Sequence, residues 1–155
     1  MPTDIRLLMS GLEFFKQMQA GEVPHPPMLN LLGIRLTEVD SGRVVFTANV
    51  DERFYNGTGV AHGGFASALL DTALGCAVNS TTPAGKRFTT LELKVNLTRP
   101  LTVAANPLRC EGKIIHLGGR TAISEAWIHG GDGKLYAHGT TTCIIVEPPR
   151  GTLEP

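Results

Sequence analysis

The sequence predicts an α+β fold in which strands gather around one apolar helix. Three observations point to it. Residues 63–79, "GGFASALLDTALGCAVN", are almost wholly apolar over a helical length. Apolar and polar residues alternate with period two in several other segments, as half-buried strands require. Glycine-rich turns at 118–119 and 130–133 separate the last of these segments and suit an antiparallel meander.

Taken in chain order, Ile5, Leu8, Leu12, Phe15 and Met18 fall near helical spacing across 3–20. Thr3 or Asp4 can cap the start and Gly21 follows the end, which predicts a short amphipathic helix. The stretch "EVPHPPMLN" is a proline-rich connector that cannot be helical throughout. A hairpin follows: Ile34, Leu36 and Val39 precede the turn "DSG", and Val44, Phe46, Ala48 and Val50 alternate after it. "DERFYNGTG" is a loop, the long helix occupies about 63–79, and "STTPAGK" ends it. Strands are then predicted in "RFTTLELKVNLTRP", "LRCEGKIIHLG", "RTAISEAWIHG" and "KLYAHGTTTCIIV". With no internal repeat and no linker, 1–155 reads as one domain, with 1–28 as N-terminal helix and connector and 147–155 as a frayed tail. A helix apolar over most of its circumference needs a wrapping sheet, or a second subunit on its remaining side.

The bulk composition excludes several classes. Fourteen basic residues balance fourteen acidic ones, without the basic excess of a nucleic-acid binder. Only 18% of residues are charged, below the usual ~25%, which is compatible with surface hidden in an oligomer. Cys76, Cys110 and Cys143 lie far apart and are odd in number, which argues against a disulfide framework or a zinc knuckle and fits reduced core thiols in a cytoplasmic protein. The N-terminus lacks a signal-type apolar core, and no stretch reaches the ~18 apolar residues that span a membrane. The five histidines show no HExxH or facial spacing, so no metal is expected.

Asp71 sits among Ala68, Leu69, Leu70, Ala73 and Leu74. An unpaired buried carboxylate costs several kcal/mol. A wet seam, or bonds from neighbours such as Thr72, would be a purely structural explanation. His62-Gly63-Gly64 stands at the start of the same helix. The first N–H groups of a helix lack internal partners, the helix dipole adds a positive field, and glycine permits close approach, so this terminus suits an oxyanion. Asp71 lies nine residues after His62, about 13 Å along a helix. One chain therefore cannot bring its own Asp71 to its own helix start. Two antiparallel copies across a two-fold axis can, giving a site made twice per dimer.

Asn56, then His62-Gly63-Gly64, then Asp71 on a long apolar helix followed by four strands, resembles the hotdog-fold acyl-CoA thioesterases, above all the phenylacetic-acid-degradation (PaaI-type) subgroup. The resemblance covers roughly 29–146. It implies an antiparallel sheet wrapped around the central helix, dimers commonly paired into homotetramers, and hydrolysis of acyl-CoA to free acid and CoA. It also implies roles: Asp71 as general base or nucleophile, the Gly63 N–H of the opposite subunit polarising the thioester carbonyl, His62 and Asn56 positioning the loop, thioester or water, and Thr90 beside the acid, with Thr89 the alternative on the other strand face. No cofactor is implied beyond the CoA of the substrate. For substrate contacts the candidates are Gly64, Gly119 and Arg120, with Lys86, Arg87 and Arg99 as further cations, and Phe54, Tyr55, Leu70 and Leu74 with Phe14 and Phe15 for the acyl pocket. Cys76 lacks any sequence cue for a base, and Trp127 reads as strand packing. A hotdog hydratase or dehydratase would pair histidine and acid in a different arrangement, and a non-catalytic acyl-CoA sensor would not need Asp71 with Asn56 and His62.

Overall fold

The protein is described here by a computed structural model covering residues 8–147. Three helices and six strands follow in chain order: α1 (Gly11–Gln19), α2 (Pro27–Leu32), β1 (Arg35–Asp40), β2 (Arg43–Ala48), α3 (Gly63–Asn79), β3 (Arg87–Leu97), β4 (Leu108–Leu117), β5 (Thr121–His129) and β6 (Leu135–Val146). Short 3₁₀ turns occupy Glu52–Phe54 and Val103–Ala105. The strands form one antiparallel sheet in the order β1-β2-β4-β5-β6-β3. β4, β5 and β6 make the predicted meander, whereas β3 crosses over to pair with β6 at the far edge.

The sheet curls around α3, which packs on β2, β3, β4, β5 and β6. Leu69, Leu70, Ala73, Leu74, Ala77 and Val78 of α3 are fully buried, as are Val44, Phe46, Leu108 and Ile128 of the sheet. Each large side chain so buried contributes about 1.5–3 kcal/mol. Contact is closest at β4. A Cβ added to Gly112 would lie 2.4 Å from the Ala73 carbonyl oxygen and 2.7 Å from its carbon, so only glycine lets the helix settle on this strand.

The N-terminal helix starts later than the apolar spacing suggests. The candidate caps Thr3 and Asp4 lie outside the described residues, and α1 begins at Gly11. Ser10 is its N-cap: the Ser10 hydroxyl oxygen accepts the Glu13 N–H at 3.2 Å, and the Glu13 carboxylate accepts the Ser10 N–H at 2.8 Å. This reciprocal box outweighs the apolar periodicity upstream, because it satisfies two otherwise orphaned donors. Phe14, Phe15 and Met18 turn into the core, so the two phenylalanines are packing residues and not part of an acyl pocket. The proline-rich connector also contains an element that its composition hides. Pro27 stands at the first turn of α2, where a missing N–H costs nothing, and Gly33, at φ 66°, ends the helix in the left-handed region.

On the outer face of the sheet, Arg43, Arg109 and Lys113 surround Glu111 at 3.0, 2.6 and 2.9 Å. Burial pushes the Glu111 carboxyl up, but the bonds from Lys113, Arg43 and Arg109 outweigh it and hold the pKa at about 2. This clasp ties β2 to β4 and leaves the inner face to α3.

β3 positions the residues nearest Asp71. Phe88 and Thr90 pair with Ile145 and Cys143 on the inner face, and a register shift between Thr90 and Glu92 leaves Leu91 as an extra residue. The bulge resets the alternation, so Leu93, Val95 and Leu97 continue on the helix side. β3 ends the sheet, and Leu91 and Leu97 on it are more than half exposed.

Candidate active site

The loop before α3 is closed by a bridge between Tyr55 and Ala61 and by the Asn56 N–H donating to the Val60 carbonyl at 2.8 Å. Gly59, at φ 80°, makes the reversal possible. The Asn56 side-chain oxygen accepts the Thr58 N–H at 2.9 Å and the Thr58 hydroxyl at 2.7 Å. Its amide nitrogen donates to nothing among the described residues.

His62 is the N-cap of α3, and its Nδ1 accepts the Gly64 N–H at 2.9 Å. An acceptor Nδ1 places the ring proton on Nε2. A Cβ at Gly64 would lie 2.9 Å from that same Nδ1, so the cap itself requires glycine there. With the Gly64 N–H occupied inside the chain, Gly63 is the glycine whose N–H has no acceptor among the described residues. Gly63 lines a cavity of about 460 Å³ together with Asn56, Thr58, Ala66, Leu97 and Arg99. A donor, an amide and the positive end of a 17-residue helix thus converge on one recess.

Asp71 lies two turns further along α3, half-buried, on a face it shares with the half-buried Ser67, Ala68 and Thr72. The Thr90 hydroxyl donates to its Oδ1 at 3.2 Å. Thr89 is exposed on the opposite strand face. The Thr72 hydroxyl bonds back to the Ala68 carbonyl at 2.8 Å and does not serve Asp71. Replacement of Thr90 by Val should therefore remove the one side-chain hydrogen bond to Asp71 among the described residues. The expected result is a roughly 10-fold fall in any activity that depends on Asp71 with the melting temperature nearly kept, read by kinetics and a thermal melt side by side.

The chain does not bring Asp71 to Gly63: eight residues of helix, about 12 Å, separate them. Other candidates lie elsewhere. Leu74 and Leu70 are fully buried, both close to Gly139 of β6, so they are core and not pocket wall. Phe54 stacks on Phe65 at 4.8 Å, and the Tyr55 hydroxyl accepts the Val103 N–H at 3.0 Å, which makes both anchors of the loop. Gly119 and Arg120 form the exposed β4–β5 turn, where the Arg120 carbonyl accepts the Ile145 N–H. Ile145 pairs with Phe88 at the start of β3, so this turn belongs to the far end of the helix from Gly63. The Cys76 thiol is pushed up to about 12, first by burial and then by the Asp71 charge, and so stays protonated. Burial likewise pushes the Cys110 and Cys143 thiols up. Among the described residues no cluster of His, Cys, Asp or Glu could hold a metal, and no helix is long and apolar enough to cross a membrane.

A family profile described as "Thioesterase superfamily" matches residues 58–137, which includes His62, Gly63, Gly64, Asp71 and Thr90. The chain belongs to the thioesterase superfamily. A Pseudomonas aeruginosa protein whose name proposes an esterase is 31% identical over 107 residues, covering 68% of this chain and 79% of that relative. A solved phenylacetic acid degradation-related protein of Ralstonia eutropha, named as a thioesterase candidate, is 28% identical and superposes with a TM-score of 0.77 over 84% of this chain and 98% of its own. The PaaI protein of E. coli, from the phenylacetic acid degradation operon, has a TM-score of 0.77 at 23% identity over 88% of this chain and 96% of its own, a likeness of fold. This thioesterase-superfamily chain has the hotdog fold, an antiparallel sheet wrapped on a central helix with an additional N-terminal helix.

Proposed function

We propose that the chain, acting as one domain, hydrolyses acyl-CoA thioesters to the free acid and CoA at a site shared between two copies in a cytoplasmic homo-oligomer, a dimer paired into a tetramer. One observation carries the reading. The start of α3 leaves the Gly63 N–H open toward a cavity, while the acid that matches it sits about 12 Å away on a half-buried face of the same helix. Each chain thus holds both halves of a hydrolytic site and joins neither to the other. Two helices laid antiparallel across a two-fold axis supply both junctions at once.

In that arrangement the thioester carbonyl oxygen points at the Gly63 N–H of one copy and its carbon faces Asp71 of the other. Attack turns the carbonyl oxygen into an oxyanion, which a preorganised N–H stabilises by about 3–4 kcal/mol. As base, Asp71 takes a proton from water while the hydroxide oxygen bonds to the carbonyl carbon. The carbon–sulfur bond then breaks and the CoA thiolate takes up the proton. As nucleophile, the Asp71 carboxylate bonds to the carbonyl carbon directly, CoA thiolate leaves, and water splits the resulting anhydride. Thr90 holds the carboxylate in either case, and Asn56 and His62 fix the loop that presents Gly63. No cofactor takes part beyond the CoA of the substrate.

The test is release of free thiol from a panel of aryl, short-chain and medium-chain acyl-CoAs, with the mass of the active species measured in solution. Thiol release by a dimer or tetramer is the expected result. A fully active monomer would refute the shared site, and hydration of an enoyl-CoA without thiol release would replace the reaction assigned. Single turnover in ¹⁸O-water tests the nucleophilic role of Asp71, since label enters the protein only when water opens the anhydride at the aspartyl carbon.

A further inference from the structure

Leu97 is the last residue of β3, and its side chain reaches the start of α3. A Cβ added to Gly63 would lie 3.0 Å from the Leu97 Cδ1. A leucine methyl thus fills the place of the side chain that Gly63 lacks. In a helix the Cα–Cβ bond tilts toward the N-terminus, so this methyl stands on the side to which the open Gly63 N–H points. The strand end that carries it is fixed. Leu97 pairs with Ala137, the Thr98 N–H donates to the Tyr136 carbonyl at 2.9 Å, and the Thr98 hydroxyl donates to the Leu135 carbonyl at 2.9 Å. Four residues on, the Leu101 carbonyl accepts the Ala61 N–H at 2.8 Å, which ties this segment to the loop before α3. Leu97 and Gly63 line the same cavity, together with the small Ala61 and Ala66.

We propose that Leu97 selects the substrate of the shared site: it admits thioesters whose α-carbon is an unbranched CH₂ and excludes those that carry a methyl group or a ring on that carbon. The assignment rests on the thioesterase reading above. A carbonyl oxygen held by the Gly63 N–H lies ~2.9 Å from the nitrogen. The α-carbon is two bonds from that oxygen, so a branch on it competes with the Leu97 methyl for one space. Non-bonded carbons attract at about 3.5–4.0 Å and repel inside that distance. The Leu97 backbone cannot give way without breaking the bonds to Leu135 and Tyr136. A straight chain avoids the clash and runs on past Ala61 and Ala66, the smallest side chains of the wall. One methylene too many in an apolar pocket is worth about 10–200-fold in discrimination, so a single leucine is enough to set this preference.

The experiment uses isomeric pairs of CoA esters that differ only in branching at the α-carbon: butanoyl and 2-methylpropanoyl, hexanoyl and 2-methylpentanoyl, 3-phenylpropanoyl and 2-phenylpropanoyl. The readout is the ratio of kcat/KM within the pair that the wild type splits fastest, followed through Leu97→Ala, Leu97→Val, Leu97→Met and Leu97→Phe. The intrinsic reactivity of the two esters cancels, because only the change of the ratio between variants is read. The expected result is a wild-type preference of about 10-fold or more for the straight ester. That preference should shrink in Leu97→Val, almost vanish in Leu97→Ala, persist in the volume-conserving Leu97→Met and grow in Leu97→Phe. A residue with a merely structural role would lower both rates alike and leave the ratio where it was. A wild type with no preference, or a ratio that ignores the size of residue 97, overturns the assignment. Melting temperature and solution mass show that each variant is folded and assembled, and Leu97→Val decides if Leu97→Ala is not. A wild type that releases no thiol from any of these esters sinks the thioesterase reading and the selection with it, a result distinct from intact hydrolysis that is blind to branching.

Discussion

Asp71→Asn is expected to lose at least ~100-fold in kcat while the protein stays folded, because on the proposed reading Asp71 is the group that takes a proton from water or attacks the carbonyl. The substitution keeps the side chain's shape and an oxygen for the Thr90 hydroxyl, which donates at 3.2 Å. The loss therefore reports chemistry and not packing. KM should change little, since the acyl and carrier contacts lie on other residues. Steady-state thiol release and a thermal melt on the same preparation decide the matter. Near-normal turnover by the variant would remove Asp71 from the reaction, and a collapsed melting temperature would return it to a structural role.

Gly112→Ala is expected to lower stability severely. The added methyl would stand 2.4 Å from the Ala73 oxygen and 2.7 Å from its carbonyl carbon. Both are backbone atoms of α3, so no rotamer relieves the clash, and the helix must lift off β4. Overpacking of this kind costs about 3 kcal/mol, and more where the backbone must move. In a protein of this size that lowers the melting temperature by about 6–12 °C. Because α3 carries Gly63 at one end and Asp71 two turns on, activity should fall below the melting transition too. A melting temperature within 2 °C of wild type would contradict the helix position.

α3 was fully legible in the sequence, from Gly63 to Asn79, because an apolar run of that length bounded by glycine and turn residues has no other stable reading. The spacing argument that separates Gly63 from Asp71 needed only the helical rise, and the Thr90 partner followed from the resemblance. Three features were not legible. Period-two alternation marks β3 as a strand but does not name its neighbour, so its crossing to β6 could not be read. Leu74 looks the same in a pocket wall or in a core, and only the wrapped sheet shows which it is. The Pro27 start of α2 was obscured by the prolines before it, although proline at a first helical turn is a known signal. The cap preference of His62 for Gly64 left a trace in "HGG", but which of the two N–H groups remained open depended on the imidazole's orientation.

The open side of β3 makes abundance matter to this chain. Along the eleven residues of β3, alternate positions turn their peptide groups away from β6 at the sheet edge, with Leu91 and Leu97 alongside. Such a rim joins whatever extended segment arrives first. Under the proposed two-copy arrangement, dilution weakens the folded form by mass action, so its melting temperature should fall with protein concentration.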